Sequence, residues 1–159
     1  MIKENDRLSE LLSYQILDTQ PEKELDEITF LASTIYETPI SLVTFIDKKR
    51  QWFKSCKGFD FHETRREDSF CRHTLNKPNE LFIVDDAKND PLFKDNPLVM
   101  GKENIAFYAG APLKTVNGNV LGTLCVLDTK PHQPTSKQKK SLSILAEKVM
   151  RFLETRKLI

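Results

Sequence analysis

No apolar run in this chain of 159 residues approaches the roughly 18 needed to cross a bilayer, and the opening Met1-Ile2-Lys3-Glu4-Asn5-Asp6-Arg7 lacks the apolar core of a signal peptide. A soluble, cytoplasmic protein without membrane contact is expected. An excess of one charge is missing too. Lys and Arg total 24 against 23 Asp and Glu, a net charge of +1, so no global field draws the chain to nucleic acid. The short basic clusters, Lys48-Lys49-Arg50 and Lys137 with Lys139 and Lys140, read as solvated turn and helix faces. Cysteine is scarce and odd in number: Cys56, Cys71 and Cys125 are read as thiols, not as a disulfide framework. Internal repeats, low-complexity tracts and composition breaks are also lacking, which excludes solenoids and an obvious interdomain linker. The length suits one domain over residues 1–159, with a core of about residues 7–150.

What is present is periodic. Leu8, Leu11 and Leu12 are spaced for a helix that the Pro of Asp18 to Glu22 interrupts. Leu25, Ile28, Ala32, Ile35 and Tyr36 form the stripe of a second helix, which Pro39 ends by disfavouring helix at Thr38. Ile40 to Ile46 is short and β-branched, a buried strand, with Gln51 to Lys57 as its antiparallel partner across a polar turn. A further strand is expected at Leu81 to Val84. Glu63 to Ser69 and Asp85 to Asn104 read as irregular connections of the kind that form lids or binding walls. Thr135 and Gln138 are spaced as a capping box for a last helix over about residues 136–157, whose apolar face runs through Leu142, Leu145, Ala146, Val149, Phe152 and Leu153.

Between Ala106 and Asp128 two apolar arms flank Asn117-Gly118, the dipeptide of a type I′ hairpin turn. Both arms are apolar at both parities, so both faces of the sheet here should be covered. The fold class is α+β: an antiparallel sheet of five or six strands with the terminal helices packed on one face.

Several segments carry a resemblance. Leu17-Asp18-Thr19-Gln20-Pro21-Glu22, Pro39-Ile40-Ser41-Leu42-Val43, Gln51-Trp52-Phe53-Lys54-Ser55 and Ser69-Phe70-Cys71-Arg72-His73 resemble GAF domains. Asp86-Ala87 with Asp90-Pro91-Leu92-Phe93, Asn96-Pro97-Leu98-Val99, Phe107 to Leu113 and Leu121 to Asp128 resemble the GAF type of bacterial sensor kinases and diguanylate cyclases. The resemblance implies a GAF-like sheet of about six strands, N- and C-terminal helices on one face and pocket-forming loops on the other. It also implies a sensory role: binding of an unidentified small molecule, a homodimer through the terminal helices, and a signalling partner protein that receives the change. Because the chain stops at Ile159 directly after the last helix, it is expected to act as a stand-alone module or as a subunit whose output lies elsewhere.

Ser69 is a reasonable N-cap for a short helix reaching about residue 76. On a helix Cys71 and His73 point about 200° apart, so they do not chelate one metal; no metal site is expected. Cys71 with His73 is the pattern of a nucleophile and its base, but the stronger reading packs Cys71 as a small hydrophobe and pairs His73 with a backbone group, Asp85 or Asp86. Of Asp85 and Asp86, one caps the following turn while the other reaches the pocket. By strand alternation only one of Phe107 and Tyr108 lines a pocket. The ligand-contacting candidates are thus Trp52, Phe70, Cys71, His73, Asp86, Phe93, Phe107 and Tyr108, with no catalytic residue among them and no cofactor that the residues identify.

Three other chemistries, and a purely structural dimerisation module, are the alternatives. Free methionine-R-sulfoxide reductase is also a GAF domain that uses clustered cysteines, but Cys56, Cys71 and Cys125 fall in separate elements. The Asn-Lys, Phe and Asp-Glu signature of cyclic-nucleotide-binding members should follow the last strand, where Asp128-Thr129-Lys130-Pro131 stands instead. Bilin-binding members commonly place His directly after the attachment Cys, whereas Arg72 follows Cys71 here.

Overall fold

A computed structural model describes residues 3–157 of the chain. The elements are α1 (Glu4–Ser13), α2 (Lys23–Tyr36), β1 (Ile40–Ile46), β2 (Arg50–Lys57), β3 (Glu63–Arg65), β4 (Phe82–Val84), α3 (Pro97–Met100), β5 (Phe107–Lys114), β6 (Val120–Asp128) and α4 (Ser136–Lys157). Short 3₁₀ turns at Arg66–Asp68, Cys71–Thr74 and Ala87–Asn89 punctuate the loops. The six strands form one antiparallel sheet in the order β3-β2-β1-β6-β5-β4. This is the GAF-like α+β architecture.

Strand alternation sorts the core into two layers. Val43 and Phe45 of β1, Trp52 of β2, Phe107 and Ala109 of β5 and Leu124 and Val126 of β6 pack with Leu25, Ala32 and Tyr36 of α2 and with Leu142, Leu145 and Val149 of α4. Ile40, Leu42, Phe53, Tyr108, Cys125 and Leu127 point the other way, under Phe70, Cys71, Phe93 and Leu98 of the loops. Each large side chain so buried contributes about 1.5–3 kcal/mol. Every residue of β6 is buried, as expected of a strand covered on both faces.

The helix termini follow local chemistry. In the capping box, Gln138 N donates to Thr135 Oγ1 at 3.1 Å and Thr135 N donates to Gln138 Oε1 at 2.9 Å. Glu37 ends α2 in the left-handed region at φ 54°, two residues before Pro39. Ile35, expected in the core stripe, is instead 37% exposed.

Two expectations are corrected. The turn between β5 and β6 is not type I′, since only Gly118 has positive φ, at 88°. Gly118 N donates to Thr115 O and Thr115 N to Asn119 O, both at 2.9 Å, which closes a three-residue loop on a left-handed glycine. Secondly, the charged segment after Glu63 is not wholly irregular. Arg50 pairs with Arg65 and Trp52 with Glu63, so Glu63–Arg65 is a short edge strand whose charges discourage further pairing.

A bulge in β2 was not foreseen. Val43 pairs with Ser55 but Thr44 with Phe53, leaving Lys54 over and turning it toward the helices. Its buried Nζ meets Glu22 at 2.9 Å and Thr19 Oγ1 at 2.8 Å, and Glu22 is shared with Arg156 of α4 at 2.8 Å. One bulged lysine thus ties together the start of α2, the sheet and the end of α4.

Candidate functional site

The loop side of the sheet holds a cluster of buried hydroxyl, amide and thiol groups. Ser69 accepts from Arg72 N at 3.3 Å, which starts the 3₁₀ turn that lowers Cys71 onto the sheet. There Tyr108 Oη donates to Cys71 Sγ at 3.1 Å and Thr123 Oγ1 donates to it at 2.9 Å. Thr123 is joined to Thr44 Oγ1 at 3.1 Å, and Cys125 lies beside Cys71 on the lining of one small cavity. Gly110 makes this possible. A Cβ there would fall 2.2 Å from Tyr108 Oη and 2.7 Å from its Cζ, so the phenol lies flat over the glycine to reach the sulfur.

Burial opposes ionisation of Cys71, but the thiol and hydroxyl groups around it, with Thr123 and Tyr108 donating to the sulfur, outweigh it and hold the thiol below its usual range. Cys125 and Tyr108 move the opposite way, because burial and the neighbouring Cys71 sulfur disfavour a second negative charge. Cys56 lies apart on β2, and burial pushes its thiol up.

Aromatic rings close the roof. Phe70 stacks on Phe93 at 4.4 Å between centroids and on Tyr108 at 5.2 Å. Phe53, Phe59 and Phe61 form a second stack. The cavity beneath, lined by Gln51, Phe53, Phe70, Cys71, Tyr108 and Cys125 among others, measures only about 10 Å³, room for about one water. Gln51 is 3% exposed, and its Oε1 has no hydrogen-bond partner.

Of the eight candidates, Phe70, Cys71, Phe93 and Tyr108 come together here, with His73 at their edge. Trp52 and Phe107 do not. Alternation turns both to the helix face, where Phe107 packs 6.4 Å from Tyr36 and 4.8 Å from His132. Asp86 is half-buried outside the cluster and accepts from Asn89 Nδ2 at 2.7 Å, a local turn contact. His73 is neither a base for Cys71 nor paired with Asp85 or Asp86. It stacks on Phe82 at 5.3 Å and against Phe93 at 5.1 Å, its Nε2 buried without a partner. Burial, and then the charge of Arg72, hold it below its usual range. Thr44, Thr123, Cys125 and Gln51 were missed, although pocket-face parity along their strands was the signal available. No group of three or more metal-binding side chains occurs among the described residues.

The GAF domain family model matches residues 20–153. The chain belongs to the GAF domain family. This GAF domain is 42% identical over 123 residues to a cyclic di-GMP phosphodiesterase of Pseudomonas aeruginosa, a stretch covering 77% of this chain and 21% of that protein. The match therefore spans about a fifth of the relative's length. Among solved structures, the GAF domain of an Acinetobacter phosphoenolpyruvate-protein phosphotransferase superposes with a TM-score of 0.71 at 14% identity, covering 99% of this chain and 98% of that one. The type II free methionine-R-sulfoxide reductase of Thermoplasma acidophilum superposes with a TM-score of 0.66 at 12% identity, covering 83% and 91%. At such identities the likeness concerns the fold alone. No described helix of this GAF domain is long and apolar enough to cross a membrane.

Proposed function

We propose that this GAF domain is a signal-sensing, small-molecule-binding module of bacterial signal transduction, non-enzymatic in itself, which acts through helix-mediated dimerisation on a partner or output protein. The observation that carries the reading is the unsatisfied polar group sealed under the aromatic roof. Gln51 Oε1 is an orphaned acceptor, on a residue that lines the same small cavity as Tyr108 and Cys71, and an acceptor left so in an apolar interior costs about 1–3 kcal/mol. A small ligand bearing a donor relieves that cost when it parts Phe59, Phe61 and Phe70. Because the cavity has room for about one water, a larger ligand enters only as the roof moves, which is what a sensor requires.

The dimer reading rests on apolar surface left on the helices. Phe30, Leu31 and Ile35 of α2 are 59%, 47% and 37% exposed, and Ile144 of α4 is 42% exposed. Leu31 and Ile35 stand one helical turn apart, suited to a helix-to-helix contact. Introducing L31E with I35E should convert a dimer to a monomer in light scattering, with the fold intact by circular dichroism. A wild-type monomer, unchanged when small molecules are added, would refute the proposal.

A reductase reading draws support from Cys71 and Cys125, which are distant in sequence yet share one cavity. An assay for thioredoxin-dependent turnover of free methionine sulfoxide decides between the two, with no turnover expected.

A further inference from the structure

The hydrogen bonds around Cys71 have a direction. Thr123 N donates to Thr44 Oγ1 at 3.3 Å, so the Thr44 hydroxyl proton is free to point on to Thr123 Oγ1 at 3.1 Å. The Thr123 proton then points to Cys71 Sγ at 2.9 Å, and the Tyr108 proton reaches the same sulfur at 3.1 Å. Two hydroxyl donors end on one sulfur, an arrangement that suits a thiolate better than a thiol with its own proton to place. Cys125, two residues beyond Thr123 on β6, lines the same small cavity as Cys71. His73 takes no part.

We propose that Cys71 is a peroxide-reactive thiolate and Cys125 its resolving partner, so that oxidation links the loop layer to β6 by an intrachain disulfide. The Cys71 sulfur attacks one oxygen of hydrogen peroxide, the O–O bond breaks, and a sulfenic acid and hydroxide form. The Cys125 sulfur then attacks the Cys71 sulfur, the S–O bond breaks, and the departing hydroxide takes up the Cys125 proton as water. Two thiols lose two electrons in all and one peroxide becomes two waters. The small cavity favours hydrogen peroxide over bulky organic peroxides. The inference goes beyond the sensory reading and stands without it, since it needs neither a ligand nor a dimer.

Intact mass spectrometry and peptide mapping of the full chain after treatment with hydrogen peroxide test it directly. The wild type should lose two hydrogens, with Cys71 and Cys125 in one linked peptide and Cys56 still free, and dithiothreitol should reverse the change. C125S should instead gain one oxygen at Cys71, captured there by dimedone. Y108F keeps the ring and loses one donor, so its oxidation should be severalfold slower than wild type. Protein unfolded in urea should show no preference for Cys71 over Cys56. An unchanged wild-type mass, oxidation confined to Cys56, or equal reactivity of all three cysteines in the folded chain would overturn the proposal, and so would a Y108F rate equal to wild type.

Discussion

Replacing Gly110 by Ala should uncouple Tyr108 from Cys71, and the size of the effect follows from the geometry. The added Cβ meets Tyr108 Oη at 2.2 Å, Cζ at 2.7 Å and Cε1 at 2.9 Å, all inside the closest approach that carbon tolerates. The ring has little space to retreat, with Phe70 at 5.2 Å and Phe82 at 6.0 Å between centroids. Overpacking of this kind costs about 1–3 kcal/mol. A lost hydrogen bond to the sulfur adds about 0.5–1.5 kcal/mol, so G110A should destabilise the chain by about 1.5–4.5 kcal/mol. Y108L removes the clashing atoms but leaves a partly filled site, at a cost of about 2–4 kcal/mol. Once Tyr108 is gone, Gly110→Ala has nothing to strike, so the double variant should be more stable than additivity allows by about 2 kcal/mol. Urea denaturation at constant slope measures all four corners of the cycle. Additive losses would refute the claim that Gly110 is a glycine for the sake of the Tyr108 phenol.

Other expected outcomes are independent of that cycle. A Cβ at Gly122 would lie 1.8 Å from the backbone oxygen of Thr44, at the end of the β1 and β6 pairing, so G122A should cost more than about 4 kcal/mol and yield little folded protein by circular dichroism. T135A removes one half of the capping box and should lower stability by about 1 kcal/mol in urea titration. K54M strips Glu22 of one partner but leaves Arg156, and should cost about 2 kcal/mol, less than a fully orphaned buried charge. For Glu4, burial raises the carboxyl, but the hydrogen bonds and charges of Arg7 and Arg66 prevail and bring it down to about 2. Its folded value lies below its unfolded one, so the linked stability is present above about pH 4.5 and is lost as pH falls toward about 2. E4Q should flatten the acid limb of the stability profile over that window.

The elements and their faces were legible because they depend on local periodicity. The α2 stripe, the apolar β6 and the capping box of α4 each repeat within a few residues, and GAF-like motifs span most of the chain. The site was legible only in part. Strand alternation showed that Phe107 and Tyr108 face opposite layers, but which faces the loops depends on register with β4 and β6. Trp52 was misplaced for the same reason. The Cys71 and Cys125 contact joins positions far apart in sequence, and neither carries a local signal of the other. Lys54 was hidden by a bulge, which shifts parity by one residue and leaves no mark in composition. The hairpin turn shows the converse: Asn117-Gly118 marks a turn correctly, while loop length decides its type.

Native mass spectrometry of the gently purified chain tests the central claim most directly, because it reports oligomeric state and retained small molecule together. A dimer carrying a reproducible small-molecule mass, lost on mild activation, is the predicted result. A monomer at the mass of the chain alone would contradict the account.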